Sequence, residues 1–227
     1  MENTLASFDR AVADGADGVE FDVRLCASGE VVVFHDDDLS RLAGRPERID
    51  ALTLAELGNV SIQGHRIPTL DDALDGLPET LINIEIKSTR LGGGWQLTER
   101  TIQMVRRHGA SDRVLLSSFD PSALLQARLR ARDIPTGLLF HRKLARPLRE
   151  AWPAHLVRPF ALHPECVLVT PDLVRAWRRR GLRINVWTVD DPVELRRLHS
   201  LGVDGIFTND PAAARRALWR FNGEGRQ

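Results

Sequence analysis

The sequence predicts an α/β protein of the (β/α)8-barrel type, and three observations support this prediction. Short apolar runs alternate with amphipathic stretches along the whole chain, which is the pattern of repeated βα units around a parallel sheet. The apolar runs are hydrophobic at successive positions, as in strands that are covered on both faces. A chain of 227 residues with 43% hydrophobic content is long enough for one large domain with a sizeable core.

Seven apolar runs predict the strands of the barrel, and an eighth run predicts an extra strand beside them. The seven cover residues 18–23, 81–86, 113–117, 136–140, 157–162, 183–188 and 205–207, and the extra strand covers residues 31–34. A complete barrel of this type has eight strands. Because a helical pattern begins almost at residue 1, the strand that this sequence lacks is the first one.

The stretches between the strands predict helices, several of which carry a start signal. A capping side chain stands directly before a proline in Asp120-Pro121, Thr170-Pro171, Asp191-Pro192 and Asp210-Pro211. This arrangement is typical of a helix N-terminus, because proline is tolerated at the first helical position. The predicted helices cover residues 3–14, 69–77, 96–108, 121–132, 147–151, 171–180, 192–201 and 211–220.

Residues 36–68 interrupt this rhythm. Their periodicity is weak and they contain three glycines and two prolines, so we predict a small insertion after the second strand of the barrel, over its active face. No linker or low-complexity tract divides the chain. We therefore predict a single domain over residues 1–221, followed by a disordered tail at residues 222–227.

Composition narrows the possible functions. Acidic and basic residues number 31 each, and no basic block is interleaved with aromatic residues, so the sequence does not indicate a nucleic-acid partner. Cys26 and Cys166 are too few for a disulfide framework and lack metal-ligand spacing. The chain has neither a signal-peptide pattern nor an apolar run of membrane-spanning length, so we expect a cytoplasmic protein without an integral membrane segment. Composition gives no signal for an oligomeric state.

Charged side chains interrupt the apolar runs at positions of one parity. A strand would point Glu20 and Asp22 to the same face, and Glu85 and Lys87 repeat that spacing. His35 directly follows the extra strand. Burying charge is costly unless it is paired or bound to a cation, so these residues favour a metal site. In the alternative, the strands are exposed edges whose acids face water, which their apolar neighbours disfavour.

Several motifs follow one another along almost the whole chain. They are Glu2-Asn3-Thr4-Leu5, Gly18-Val19-Glu20-Phe21-Asp22, Phe34-His35-Asp36, Asn83-Ile84-Glu85-Ile86-Lys87, Ser117-Ser118-Phe119, Asn185-Val186-Trp187-Thr188-Val189 and Gly205-Ile206-Phe207-Thr208-Asn209-Asp210-Pro211. In this order they resemble the motifs of the glycerophosphodiester phosphodiesterase family. The resemblance implies a TIM barrel that hydrolyses a small-molecule glycerophosphodiester to glycerol 3-phosphate and an alcohol with a divalent cation, Mg²⁺ or Ca²⁺.

The resemblance also implies roles for individual residues. The metal ligands of the family match Glu20, Asp22 and Glu85, its second catalytic histidine matches His35, and a lysine that contacts the phosphate matches Lys87. The chemistry agrees, because carboxylate oxygens suit Mg²⁺ or Ca²⁺ and imidazole exchanges protons near neutral pH. A substrate-binding role is further expected for Trp187, Asn185 and Phe119, although core packing is the alternative for the tryptophan.

The sequence departs from the family in one place. Family members begin the barrel with a strand that ends in His-Arg-Gly, and this sequence has Met1 directly before Glu2. We expect a misassigned start, because the downstream motifs are intact. Because the resemblance assigns acid–base catalysis and phosphate binding to the histidine and arginine of that motif, which are absent here, the alternative is a catalytically impaired barrel that binds phosphodiesters or lipid headgroups. A lyase of the phospholipase D toxin type is a further alternative, since it shares the metal ligands.

Overall fold

The computed structural model describes residues 1–88 and 92–224, which contain ten strands and eleven helices. The strands are β1 (Gly18–Leu25), β2 (Val31–Val33), β3 (Ser61–Ile62), β4 (His65–Arg66), β5 (Leu81–Ile86), β6 (Val114–Ser118), β7 (Thr136–Phe140), β8 (Ala161–Pro164), β9 (Arg183–Val186) and β10 (Gly205–Ile206). The helices are α1 (Leu5–Ala13), α2 (Ser40–Ala43), α3 (Leu54–Leu57), α4 (Leu70–Gly76), α5 (Trp95–Arg107), α6 (Pro121–Arg130), α7 (Arg146–Arg149), α8 (Ala154–Val157), α9 (Pro171–Arg179), α10 (Pro192–Leu201) and α11 (Pro211–Glu224).

Eight of the strands form one sheet in the order β10-β9-β8-β7-β6-β5-β1-β2. Neighbours from β10 to β1 pair in parallel, whereas β2 pairs with β1 antiparallel. The prediction of seven barrel strands and one extra strand is therefore confirmed. Among the described residues β10 and β1 do not pair with each other, so the sheet carries a seam at the place predicted for a further strand.

The structure also confirms three of the capping residues that the sequence predicts at helix N-termini. The side chains of Asp120, Thr170 and Asp191 each accept a hydrogen bond from a backbone N–H in the first turn of α6, α9 and α10. Helix α11 continues to Glu224, three residues into the predicted tail, and residues 225–227 lie outside the described part of the chain. No helix among the described residues combines the length and the apolar character needed to cross a membrane.

One predicted strand and one predicted helix are misplaced. The strand predicted at residues 157–162 begins only at Ala161, because Val157 ends the short helix α8 and Arg158 caps it in a left-handed conformation, with φ 48°. The helix predicted at residues 147–151 is a single turn, α7, and Ala151 interrupts it with φ 54°. Residues with positive φ cannot continue a helix or a strand, and apolar periodicity does not reveal them.

The region predicted as an insertion, residues 36–68, contains α2, α3, a 3-10 turn (Ile49–Ala51) and the hairpin formed by β3 and β4. It has a small apolar core of its own. This core consists of Cys26, Val32, Phe34, Leu39, Ile49, Leu57, Val60 and Ile62, all buried. The insertion therefore packs onto one side of β2 rather than forming an irregular loop.

Two larger apolar clusters pack between the strands and the outer helices. The first joins α1, α4 and α5 to strands β1, β5 and β6, and the second joins α9 and α10 to strands β7, β8 and β9. Helix α6 contacts both, since Ala123 and Ala127 belong to the first cluster and Leu124 to the second. The opposite face of the strands is left for polar side chains.

Candidate metal centre and active site

The parallel pairing of β1 with β5 brings four charged side chains to one face of the sheet. Glu20 lies opposite Asn83 in the register, and Asp22 lies opposite Glu85. Lys87 extends the same row, because its backbone N–H donates to the carbonyl oxygen of Val23 just beyond the last strand pair. Alternate residues of a strand point to one side. Register and parity together therefore place the predicted residues in one group.

The intervening residues of both strands form the opposite, apolar face. Phe21, Val23, Ile84 and Ile86 are at most 1% exposed and belong to the first apolar cluster. This burial fixes the rotation of the two strands, because a slip of one residue would send the charged side chains into the apolar layer. The hydrophobic pattern of the sequence therefore sets the direction of the carboxylates.

The three carboxylates converge closely. Oxygen atoms of Glu20, Asp22 and Glu85 lie within 4.8 Å of one another, and among the described residues this is the one group of three or more acidic, histidine or cysteine side chains with such spacing. The ammonium group of Lys87 lies 2.6 Å from Glu85 Oε1 and 2.9 Å from Asp22 Oδ1. Asp22 and Glu85 are buried, whereas Glu20 is open to solvent.

The electrostatics of the group follow from this crowding. The surrounding protein and then the charges of Asp22 and Glu85 raise the pKa of Glu20 well above its usual range. Because the Glu20 side chain remains accessible to solvent, the neighbouring carboxylates are the stronger physical reason. Burial also raises the pKa of Glu85. Burial alone would lower the pKa of Lys87, but the charges of Glu85 and Asp22 outweigh burial and raise this pKa.

These residues fit a divalent cation. They supply three hard oxygen ligands, which Mg²⁺ and Ca²⁺ prefer. One ammonium group faces three carboxylates, and the raised pKa of Glu20 is the sign of negative charge that protein groups do not offset. The three acidic side chains can therefore hold a metal ion.

His35 follows β2 and is held from two sides. Its Nδ1 lies 2.6 Å from Asp36 Oδ1, and its carbonyl oxygen accepts two hydrogen bonds from the guanidinium of Arg24, at 2.7 and 3.0 Å. The ring is half exposed, and a positive charge on it would lower the pKa of Glu85. His35 therefore lies at the border of the carboxylate group, with one ring nitrogen occupied by Asp36.

Asp36 is itself held by Arg41, whose Nε donates to Asp36 Oδ2 over 2.6 Å. Arg41 also pairs with Glu2. Although burial opposes it, the hydrogen bonds from Arg41 and His35 lower the pKa of Asp36. Asp36 therefore stays ionised and acts as the acceptor toward His35.

Aromatic rings form a second group at the carboxyl ends of β6, β7 and β9. The Phe119 ring lies 5.6 Å from the Trp187 ring and 5.4 Å from the His141 ring, both in edge-to-face arrangements. The carboxyl ends of parallel strands share one edge of the sheet, so these rings and the carboxylates lie at the same end of the barrel. The three rings are partly exposed there.

Asn185 lies deeper than Trp187. Its Nδ2 is 3.1 Å from Nε2 of His163, a fully buried residue whose carbonyl oxygen accepts a 2.7 Å hydrogen bond from Trp187 Nε1. The Nδ1 atom of His163 has no hydrogen-bond partner among the described residues. The structure thus places Asn185 inside the barrel as a neighbour of His163, whereas Trp187 and Phe119 lie at its mouth.

Sequence reasoning left out several residues of this region. His141 could have been found, since it follows β7 on the parity of Leu139, as Lys87 follows β5. Asn3 could not, because it reaches the site through a contact with Asp22, 19 positions away, and the bond between Arg41 and Glu2 spans 39 positions. The strand pattern gives no information on such contacts.

Comparisons with known proteins point to one family. The sequence profile of the glycerophosphoryl diester phosphodiesterase family matches residues 1–213. A glycerophosphodiester phosphodiesterase of Caldanaerobacter subterraneus subsp. tengcongensis is 34% identical over 222 residues, which cover 92% of this chain and 89% of the relative. A probable glycerophosphodiester phosphodiesterase 2 of Mycobacterium tuberculosis is 31% identical and covers 91% of this chain and 81% of its own.

Solved structures give the same result. A phosphodiesterase of Oleispira antarctica, in complex with the product sn-glycerol-3-phosphate, superposes with a TM-score of 0.87 at 26% identity, over 96% of this chain and 91% of that one. A glycerophosphodiester phosphodiesterase of Thermotoga maritima superposes with a TM-score of 0.78 at 29% identity, over 93% and 90% of the two chains. The fold is therefore the TIM-barrel type expected from the sequence, and the chain belongs to the glycerophosphoryl diester phosphodiesterase family.

Proposed function

We propose that this protein hydrolyses glycerophosphodiesters to glycerol 3-phosphate and an alcohol with the help of a divalent cation, Mg²⁺ or Ca²⁺. The observation that carries the proposal is the convergence of Glu20, Asp22 and Glu85 within 4.8 Å on one face of two adjacent strands. The relatives named above support the reaction class, and the product in the Oleispira antarctica structure supports a small phosphorylated ligand.

In this proposal Glu20, Asp22 and Glu85 hold the cation. When bound, a divalent cation supplies positive charge at the phosphate oxygens, where negative charge builds up during the reaction. Lys87 lies between Asp22 and Glu85. Its ammonium group offsets part of the negative charge of these two carboxylates and adds a further positive charge beside the phosphate.

His35 transfers a proton. Hydrolysis forms a bond from water oxygen to phosphorus and breaks the bond from phosphorus to the alcohol oxygen, so the attacking water loses a proton and the departing oxygen gains one. Since the ionised Asp36 accepts from Nδ1 of His35, the hydrogen lies on Nδ1 and Nε2 is free to accept or donate. General acid–base help of this kind accelerates a reaction by about 10² to 10⁴-fold.

The aromatic rings bind the organic part of the substrate. Phe119 and Trp187 meet edge to face at the mouth of the barrel, where they present apolar surface beside the charged group. Such surface contacts the carbon atoms of glycerol or of the alcohol. Asn185 acts on this wall indirectly, since it touches His163, whose carbonyl holds the Trp187 indole.

The proposal is tested by incubating the chain with glycerophosphocholine and measuring glycerol 3-phosphate. We expect product with Mg²⁺ or Ca²⁺ and none with a chelator. Asp22→Asn and His35→Gln should each lower kcat at least about 100-fold, whereas His155→Gln, at an exposed histidine remote in sequence from the site, should not change it.

Three results would contradict parts of the proposal. Turnover that persists in the chelator would exclude the cation. Binding of substrate and cation without turnover would favour a phosphodiester-binding barrel over a hydrolase. A cyclic phosphate as the final product would favour a lyase.

A further inference from the structure

Asn3 makes two hydrogen bonds to Asp22, which lies 19 positions later in the chain. The side-chain Nδ2 of Asn3 donates to Asp22 Oδ2 over 2.9 Å, and the backbone N–H of Asp22 donates to Asn3 Oδ1 over 3.1 Å. Both ends of one amide thus bind the backbone and the carboxylate of a single residue. An amide held at both ends cannot rotate without breaking a bond, so its donor has a fixed position.

The other oxygen of the same carboxylate is also held. Lys87 Nζ lies 2.9 Å from Asp22 Oδ1. Because one partner binds each oxygen, the plane of the Asp22 carboxylate is fixed relative to β1. The lone pairs that remain on Asp22 therefore have fixed directions, within the group that Asp22 forms with Glu20 and Glu85.

The backbone of Asn3 is adapted to this contact. Asn3 has φ 53°, in the left-handed region that few residue types adopt. Asparagine is among the most tolerant of these, after glycine. Glycine would fit the backbone but has no amide, and asparagine meets both requirements at once.

A purely structural role, the fastening of α1, is already filled by other residues. Thr4 caps this helix: its hydroxyl accepts from the Ser7 N–H, and the Ser7 hydroxyl accepts from the Thr4 N–H, each at 3.2 Å. The bonds of Asn3 go instead to Asp22. Asn3 is therefore not needed to satisfy the first turn of the helix.

We propose that Asn3 is a positioning residue that orients Asp22 for the cation. This inference rests on the proposed function, in which Asp22 is a ligand. Residues that orient a metal ligand raise metal affinity by about 10 to 100-fold, because the ligand no longer has to be ordered when the ion binds. Asn3 would thus act on cation binding without touching the substrate.

The variant Asn3→Gly tests this role, since it keeps the left-handed backbone and removes only the amide. Titration calorimetry with Ca²⁺ and with Mg²⁺ should give a Kd about 10 to 100-fold higher than for the wild type. The matched control is Gln63→Gly, at another residue with positive φ (50°) that lies in the hairpin of the insertion. It should leave the Kd unchanged.

Two outcomes separate the possible failures. If Asn3→Gly lowers the cation-free melting temperature but binds the cation like the wild type, Asn3 is structural and the inference is wrong. If Asp22→Asn binds the cation as tightly as the wild type, the metal site itself is wrong, and the proposed function fails with it.

A measurement on the wild-type protein covers the case in which Asn3→Gly does not fold. In NMR spectra of ¹⁵N-labelled protein, the side-chain amide of Asn3 should shift during a Ca²⁺ titration with the Kd found by calorimetry. The amide of Asn59, which donates to the Ala55 carbonyl on an exposed helix end, should not shift. If the signal of the Asn3 side-chain amide does not shift during the Ca²⁺ titration, the inference is wrong.

Discussion

The ammonium group of Lys87 lies 2.6 Å from Oε1 of Glu85, the residue two positions earlier on the same row of β5. It also lies 2.9 Å from Asp22, so one partly buried ammonium group is shared by two buried carboxylates, and Glu20 adds a third carboxylate nearby. The protein therefore holds more negative than positive charge at this point. The first two predictions follow from that imbalance.

Replacement of Lys87 by methionine should destabilise the protein. The change leaves Asp22 and Glu85 buried without their counter-charge, and breaking a buried ion pair by removing one partner costs about 3 kcal/mol or more. Added Ca²⁺ should restore more stability to Lys87→Met than to the wild type, since the ion supplies the missing positive charge. Denaturant unfolding with and without Ca²⁺ measures both effects.

Lys143, an exposed residue and the other lysine of the chain, provides the control: Lys143→Met should leave stability unchanged.

Replacement of Glu20 by glutamine should raise stability in the absence of a cation. The folded-state pKa of Glu20 is raised, so its carboxylate opposes folding at pH values above the folded pKa, and a neutral amide removes this effect. The stabilisation that the wild type gains from a saturating cation, about 2.7 kcal/mol at 100 times the Kd, should largely disappear. Melting temperatures at pH 8 with chelator and with Mg²⁺ test this. A Glu20→Gln protein that melts lower than the wild type in chelator would contradict the prediction.

His163 should make stability depend on pH. Burial lowers the pKa of His163 to about 3, whereas an unfolded histidine has a pKa of about 6.5. Between these values the unfolded chain binds a proton that the folded chain does not, so stability falls as the pH decreases below about 6.5, by up to about 1.4 kcal/mol per unit. His163→Gln should therefore lose less stability than the wild type between pH 7 and pH 5.

The measurement is urea unfolding at both pH values, and only the difference between them is compared. This removes any constant effect of the substitution. His155→Gln, at an exposed histidine, should retain the wild-type dependence. An equal pH dependence in His163→Gln and the wild type would show that the ring is accessible to protons in the folded state.

Gly137 provides the space for the ring of His163. A Cβ on Gly137 would lie 2.6 Å from both Cε1 and Nε2 of that ring, which is fully buried. Gly137→Ala should therefore destabilise the protein by about 1–3 kcal/mol. In the double variant with His163→Ala the clash is absent, so the two effects should not add. Gly58→Ala is the control, since its backbone is helical and its nearest neighbours would be 3.4 Å away. Additive effects at Gly137 and His163 would exclude the clash.

Most of the carboxylate group could be predicted from the sequence, because its geometry depends on strand parity. Glu20 and Asp22 alternate with buried residues in β1, as Glu85 and Lys87 do in and after β5. Once the two strands are adjacent and parallel, parity brings all four side chains to one face. The order of the strands follows from the alternation of strands and helices along the chain.

The contacts that surround the group could not be predicted in this way. Asn3 reaches Asp22 through a left-handed backbone, and Arg41, which holds Asp36, pairs with Glu2 across 39 positions. Such contacts depend on the relative placement of loops, which neither periodicity nor capping signals define. The same reason explains the error at residues 157–162, where a left-handed residue, Arg158, ends a helix inside an apolar run.

Helix α6 is the shared boundary of the two large apolar clusters, with Ala123 and Ala127 on one side and Leu124 on the other. We expect the two arcs of the barrel to open independently in local unfolding, because their buried side chains form two separate apolar clusters. Hydrogen exchange should then divide the backbone amides into two protection levels with the change between β6 and β7. The carboxylates and Lys87 lie in one arc and Trp187 lies in the other. The residues for catalysis and those for substrate binding would therefore lie in parts of the protein that unfold with different free energies.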